Sequence, residues 1–273
     1  MNQQFSTIDD AVAAIGRGEV IIVVDAEDRE NEGDFVCAAE MATPELVNFV
    51  LSGRGDFCMS VLPEICQRLE LEPIVRANDS KLNTAFITPL DHAECRTGIT
   101  AQERSLTVRS IVDPSSRPGD FVRPGHVHLL LAKEGGVLRR AGHTEAAVDL
   151  ARMAGLAPAG ILCEVLDEDG NRASRDRLLE IADKHQLQII SIEQLKLIAP
   201  RASLYRLGII VMDECVTCAS SLVNGVTVLK PALTTGTLRT LVDSSAYFIA
   251  MDADFDADGK GKALLKGIAG KKK

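Results

Sequence analysis

Apolar and polar positions along residues 1–199 fall into two periods, one helical and one of strand type. Ile8, Val12 and Ile15 recur at helical spacing behind the capping residues Ser6 and Thr7, so the chain opens on a helix. The apolar run Val20-Ile21-Ile22-Val23-Val24 then predicts a buried strand over 19–25. Further strands are expected over 35–39, 57–62, 84–90, 127–132, 159–166 and 187–192. Helices are expected over 44–52 (opened by Pro44), 101–110, 144–154 and 174–185. Residues 113–125, rich in Pro, Gly and Ser, read as a loop, and Asp167-Glu168-Asp169-Gly170-Asn171 as a turn. Alternation of the two element types predicts an α/β fold, a mixed β-sheet with helices packed on both faces.

The pattern changes after residue 199. Residues 207–212, 222–229 and 247–251 read as strands, and Asn224-Gly225 between apolar flanks is a two-residue hairpin signal. The chain therefore divides into a domain over 1–199 and a short strand-rich C-terminal extension over 200–273 of unknown function, with a Lys-rich end expected to be mobile. Cys215-Val216-Thr217-Cys218 is a lone CxxC and reads as structural without a second pair. The stretch 252–259 has the spacing Asp-x-Asp-x-Asp-Gly, but the twelfth position from Asp254 is Leu265, where a calcium loop needs a glutamate. A solvated acidic turn is the expected state.

Composition narrows the class of function. The net charge of −9 argues against binding nucleic acid, and the one basic run is Lys271-Lys272-Lys273. Mean hydropathy is near zero, the apolar runs are far shorter than a membrane span, and Met1-Asn2-Gln3-Gln4-Phe5 has no signal-peptide core. Seven irregularly spaced cysteines fit reduced thiols. A cytoplasmic protein without membrane or nucleic-acid partners is expected.

Two clusters carry chemistry. The first strand empties into Asp28-Arg29-Glu30-Asn31-Glu32-Gly33-Asp34; with Asp25 and Glu27 this makes six acids against one base. Open α/β sheets place ligands at the carboxyl ends of strands, and so much like charge calls for a cation or a polar ligand. The second cluster is Arg139-Arg140-Ala141-Gly142-His143-Thr144-Glu145, at the start of an Ala-rich helix that Thr144 would cap and Gly155 would stop. A helix N-terminus suits a phosphate, Arg140 adds a forked cationic donor, and His143 is a candidate metal ligand or proton carrier. Taken singly, the loop also reads as a solvated turn and His143 as a cap; together they favour a site.

These two segments resemble the signatures of the 3,4-dihydroxy-2-butanone 4-phosphate synthase family. Six more matches follow in order: Gly53-Arg54-Gly55 with Cys58, Asn83-Thr84-Ala85-Phe86, Thr97-Gly98-Ile99-Thr100-Ala101, Pro124-Gly125-His126-Val127, Gly135-Gly136-Val137-Leu138 and Gly160-Ile161-Leu162-Cys163-Glu164. The resemblance covers residues 6–199. It implies conversion of ribulose 5-phosphate into 3,4-dihydroxy-2-butanone 4-phosphate and formate, in riboflavin biosynthesis, through metal-assisted enolisation, dehydration and skeletal rearrangement. It implies Mg2+ or Mn2+ held by Glu30 and His143, and a homodimer with residues of both subunits at each site.

By the same resemblance, His126, Glu164, Glu32 and Cys58 fall at catalytic positions, Cys58 as a residue lining the site. Arg29, Glu30, Asp34, Thr97, Arg140, Ala141, Gly142, His143, Thr144 and Glu164 fall at substrate-binding ones. Thr97, Arg140 and the helix start would hold the phosphate. His126 follows Pro124-Gly125, a turn that would present its ring to a cleft, and a near-neutral imidazole suits a proton shuttle. Glu164 ends an apolar run, so burial would raise its pKa toward acid–base work; without the resemblance it reads equally as a strand-end carboxylate paired with an arginine.

Three places depart from the family pattern. His128-Leu129-Leu130-Leu131 replaces an aromatic, a proline, a leucine and an arginine; Arg96 replaces a threonine; and Glu103-Arg104 replaces an Asp-Arg step. None removes a residue given a role above. Bifunctional relatives carry a GTP cyclohydrolase II domain next, but this extension is too short for one and lacks its three-cysteine zinc signature. Two alternatives stand beside this reading: a diverged paralogue that binds a sugar phosphate without turning it over, and a C-terminal segment in which the CxxC holds zinc and a partner. Glu30, His126, His143 and Glu164 count against the first, since a pure binder has no need of all four.

Overall fold

The computed structural model describes residues 5–198 and, beyond them, only the backbone of four short strands. Helix α1 (Ile8–Gly16) begins at Thr7, whose hydroxyl accepts the Asp10 N–H, and it buries Ile8, Ala11, Ala14 and Ile15. The apolar run after it forms β1 (Ile21–Val24), buried at every position. Then follow β2 (Gly33–Ala38), α2 (Pro44–Leu51), β3 (Cys58–Val61), α3 (Pro63–Arg68) and β4 (Phe86–His92). Next come α4 (Ala101–Val112), β5 (Phe121–Leu131), α5 (His143–Met153), β6 (Gly160–Glu164), α6 (Arg175–His185) and β7 (Ile189–Ser191).

The seven strands form one mixed sheet in the order β4-β5-β3-β6-β2-β1-β7. The β3–β5 and β1–β7 pairs are parallel and the other four antiparallel. Successive side chains of a strand point to opposite faces. Ile22, Val24, Phe35, Cys37, Met59, Val61, Ile161 and Cys163 face one way and form the main core with Val47 and Val50 of α2, Val108 and Ile111 of α4, and Leu178 and Ala182 of α6. Positions of the other phase, among them Asp34, Val36, Cys58, Ser60 and Leu162, lie under α5, which α1 flanks. Period-two alternation thus decides which strand residues meet α5.

Two expectations are corrected, and one helix had not been expected. The loop expected over 113–125 ends early, because β5 starts at Phe121. Pro124 and Gly125 disguise the strand, yet β4 pairs past them (Asp91↔Val122, His92↔Phe121) with register shifts on either side of Leu90. The six-residue α3 has too few turns to show a period. Helix α5 is capped at Gly142 rather than at Thr144, which lies inside its first turn.

Met1–Leu197 and Ile198–Lys273 form two compact units. In the second, β8 (Ile209–Asp213) pairs in parallel with β11 (Tyr247–Met251). There β9 (Leu222–Val223) pairs antiparallel with β10 (Val226–Thr227), as strands joined at Asn224-Gly225 should. The CxxC, residues 252–259 and the lysines that follow lie outside the described residues. No helix among the described residues is long and apolar enough to cross a membrane.

Candidate active site

Neighbouring strands set the floor of a cavity of about 230 Å3 on the α5 face of the sheet. Asp34 of β2 stands opposite Glu164 of β6, Cys58 of β3 opposite both Leu162 and His128, and Leu130 of β5 opposite Phe86 of β4. The start of α5 adds His143 and Thr144, and the loops after β1 and before α5 add Arg29, Glu30, Glu32 and Arg140. Nine residues expected from the sequence therefore line one cavity: Arg29, Glu30, Glu32, Asp34, Cys58, Arg140, His143, Thr144 and Glu164.

The acidic loop is held in shape by Asp25, which the sequence reading gave no role of its own. Its buried carboxylate accepts the Glu30 N–H at 3.0 Å, the Glu32 N–H at 2.8 Å and Arg29 Nη1 at 2.9 Å. With those acceptor sites taken, Glu30 is left turned toward His143, whose Nδ1 lies 3.8 Å from Glu30 Oε2. Arg29 also donates to Glu30.

At the second cluster, Gly142 caps α5 in extended backbone with no side chain accepting the first-turn N–H groups, which keeps them available to an anion. A Cβ on Gly142 would lie 2.3 Å from Arg140 Nη1 and 3.0 Å from Arg29 Nη2, so glycine admits both guanidinium groups. Arg140 donates to buried Glu145 at 2.8 Å, to Thr84 Oγ1 at 2.9 Å and to the Leu82 carbonyl at 3.3 Å. Two of its five N–H bonds remain for a ligand.

Crowding sets the charges. Burial pushes Asp34 up to about 7, with Glu164, Glu32 and Glu30 adding to the rise while His143 opposes it. Burial works against charge on His143, but Asp34, Glu30 and Asp25 outweigh it and push the imidazole up to about 9. Glu30 is lowered by His143 first and by Arg29, against burial. Glu32 is raised by burial and then by its carboxylate neighbours. Burial foremost, then the neighbouring Asp56 and Glu164, push the Cys58 thiol above its ordinary value.

Glu164 is positioned by the Gly53–Asp56 loop, and among the described residues no arginine forms an ion pair with it. The Asp56 N–H donates to its Oε2 at 2.8 Å and the Gly55 N–H to its carbonyl at 3.1 Å. A Cβ on Gly55 would stand 2.5 Å from Oε2 and 2.6 Å from the backbone oxygen of Glu164. Gly55→Ala is therefore expected to cost about 1–3 kcal/mol of stability and to shift the carboxylate, seen in urea unfolding beside steady-state rates.

Four expected residues are not among those lining the cavity: Ala141 and Gly142, which form the approach to α5, and His126 and Thr97. His126, on β5, has a half-exposed ring whose Nδ1 sits 2.7 Å from Asp91 Oδ2, while its N–H donates to Asp91 Oδ1 at 2.8 Å. A carboxylate only accepts, so Nδ1 carries a proton toward Asp91, which fixes the orientation of the ring. Asp91 was missed; the available signal was an acid inside the apolar run of β4. Thr97 is engaged by Glu103, whose carboxylate accepts N–H groups of Arg96, Thr97 and Gly98 and the hydroxyls of Thr97 and Thr100. Those bonds, the Thr97 N–H foremost, pull Glu103 down to about 2. Glutamate at this departure from the family pattern thus ties the 96–100 loop to α4. Ala141 joins Arg140 to the helix cap.

The donor set fits a hard divalent cation. Asp25, Glu30 and His143 offer ligand atoms within 4.8 Å of one another, and Asp34 Oδ1 is buried without a hydrogen-bond partner 3.8 Å from His143 Nε2. Oxygen donors with a single nitrogen suit magnesium or manganese and leave positions for water and substrate.

Fold and site together define an α/β protein with an acid-rich, anion-accepting small-molecule cavity. A family model described as 3,4-dihydroxy-2-butanone 4-phosphate synthase matches residues 9–197, and the chain belongs to that family. It is 55% identical over 192 residues to the riboflavin biosynthesis protein RibBA of Bacillus subtilis, covering 70% of this chain and 48% of that protein. To 3,4-dihydroxy-2-butanone 4-phosphate synthase of Wolinella succinogenes it is 51% identical over 189 residues, 69% of this chain and 54% of the relative. The chain thus spans about half the length of these curated relatives.

Solved structures agree. RibBX, a two-domain 3,4-dihydroxy-2-butanone 4-phosphate synthase from A. baumannii, matches with a TM-score of 0.68 and 42% identity over 74% of this chain and 58% of its own. A 3,4-dihydroxy-2-butanone 4-phosphate synthase in complex with two magnesium ions matches with 0.67 and 33% identity over 72% of this chain and 99% of its own.

Proposed function

We propose that this chain converts ribulose 5-phosphate into 3,4-dihydroxy-2-butanone 4-phosphate and formate, as a lyase of riboflavin biosynthesis working in the cytoplasm, with residues 1–199 as the synthase domain. The observation that carries this reading is the meeting of Glu30 and His143 in one cavity with Arg29, Arg140 and the free start of α5. A phosphate suits the α5 N–H groups and the spare Arg140 donors. Glu30 and His143 would hold Mg2+ or Mn2+, which supplies charge stabilisation to the sugar oxygens. Asp34, pushed up to about 7, has the affinity to take and return the C3 proton that enolisation of a 2-ketose moves. Glu32 and Glu164 stand across the cavity as further proton carriers, and Cys58 closes its floor.

The test is formate release from ribulose 5-phosphate with magnesium and then with EDTA. Formate is expected with the metal, with at least a ~100-fold fall on chelation. Metal-dependent binding of the sugar phosphate without formate would overturn turnover and leave a binding protein.

The same reading includes a homodimer. His126 and Thr97 lie outside their own chain's cavity, and the His126 ring is half-exposed, which supports their serving the cavity of a second copy. Glu30→Gln and His126→Ala are each expected to be inactive alone. Mixed after unfolding and refolding together, they are expected to regain part of the activity through hybrid dimers holding one intact site. No recovery from a mixture shown by mass spectrometry to contain hybrids would place His126 outside the shared site.

A further inference from the structure

We propose that Asp56, Cys58 and His128 form a second cation site, separate from Glu30 and His143, that takes one thiophilic divalent ion of the zinc class. Cys58 opens β3 and Asp56 lies two residues before it, and both side chains line the same cavity. Cys58 and His128 are direct partners in the parallel β3–β5 ladder, which sets their side chains abreast. His128 Nδ1 lies 3.0 and 2.9 Å from the two Asp56 carboxylate oxygens. All three ligand atoms fall within 4.8 Å of one another.

A tetrahedral shell with metal–sulfur bonds of about 2.3 Å and metal–nitrogen bonds of about 2.0 Å needs donors roughly 3.3–3.7 Å apart. Closing to that geometry takes only side-chain rotation, because Asp56 and His128 are half-exposed while the strand fixes Cys58. Asp56 is steadied by its own N–H, which donates to Glu164 Oε2. Sulfur, nitrogen and oxygen together select zinc-like ions over magnesium, whereas the Glu30 and His143 donors include no sulfur. Three protein ligands leave a fourth position open. On binding, the Cys58 S–H bond breaks, its electron pair forms the sulfur–metal bond and the proton goes to solvent. His128 binds through Nδ1 with its proton carried on Nε2.

Asp56 and Cys58 also line the cavity that holds Glu30 and His143, so the readout is the spectrum of the metal itself and not turnover. Cobalt(II) added to the full-length, metal-stripped chain is expected to give thiolate-to-cobalt charge-transfer absorption with tetrahedral ligand-field bands at one ion per chain, and zinc is expected to bleach both. The signal is expected to persist in Glu30→Gln and in Cys215→Ser/Cys218→Ser, and to vanish in Cys58→Ser and in His128→Phe. His128 is half-exposed, so its variant keeps the comparison valid if Cys58→Ser folds poorly. No thiolate band in the wild-type chain, a band that survives His128→Phe, or a band lost in Cys215→Ser/Cys218→Ser would overturn the assignment.

Discussion

His143→Ala is expected to lower formate release from ribulose 5-phosphate by on the order of 10^3-fold while the sheet stays folded. The imidazole is the one nitrogen donor in the expected metal set, and it lies 3.8 Å from both Glu30 and Asp34. Removing it leaves three acids facing one another with Arg29 as the nearby cation, so a divalent ion loses a ligand and the cavity loses its charge balance. The fold should survive, because Asp34, already pushed up to about 7, takes a proton instead of remaining an unpaired buried charge. The measurements are turnover under saturating magnesium and direct titration of Mn2+ by its effect on water relaxation. Loss of both, with thermal unfolding little changed, is the expected pattern. A variant with wild-type turnover would remove His143 from the metal set.

Arg140→Ala is expected to destabilise the N-terminal unit by about 3–5 kcal/mol, more than removal of an exposed arginine would. Its partner Glu145 has a side chain 1% exposed, accepting Arg140 Nη1 at 2.8 Å and the Lys133 N–H at 3.0 Å. Without the guanidinium, a buried carboxylate keeps a single backbone donor. Exposed pairs such as Arg17–Glu19 contribute little because water competes with both partners. The double variant Arg140→Ala/Glu145→Gln should recover part of the loss, since the uncompensated charge is then gone. Urea unfolding of the three variants gives the cycle. A loss below about 1 kcal/mol in the single variant would show that water reaches Glu145 and that the arginine serves only the ligand.

Much of the fold was legible because it rests on local signals. The run Ile21–Val24 could be little other than a central strand, and the Ala-rich stretch after His143 little other than a helix. What escaped had a local pattern that contradicted its pairing. Pro124 and Gly125 read as loop, yet β4 draws them into a strand through shifted register. Thr144 has the chemistry of a cap, but two guanidinium groups crowd the turn before it and only Gly142 fits there. In the site, the residues with motif-like surroundings were found. Asp91 and Glu145 were given no role, because their importance comes from what they hold, His126 and Arg140, each on another element or in another turn.

By itself the sequence determined the α/β class, the position of the acidic loop at a strand end, the helix start behind the basic cluster, and the family through eight ordered motifs. These are properties of neighbouring residues: period, capping chemistry and charge density are written within a few positions of chain. Tertiary structure alone decided that Glu30 and His143 share a cavity, that Asp25 holds the loop, and that His126 and Thr97 lie outside their own chain's cavity. It also decided that Cys58 and His128 stand side by side. Each of these depends on strand order and register, which long-range pairing sets and no local pattern encodes.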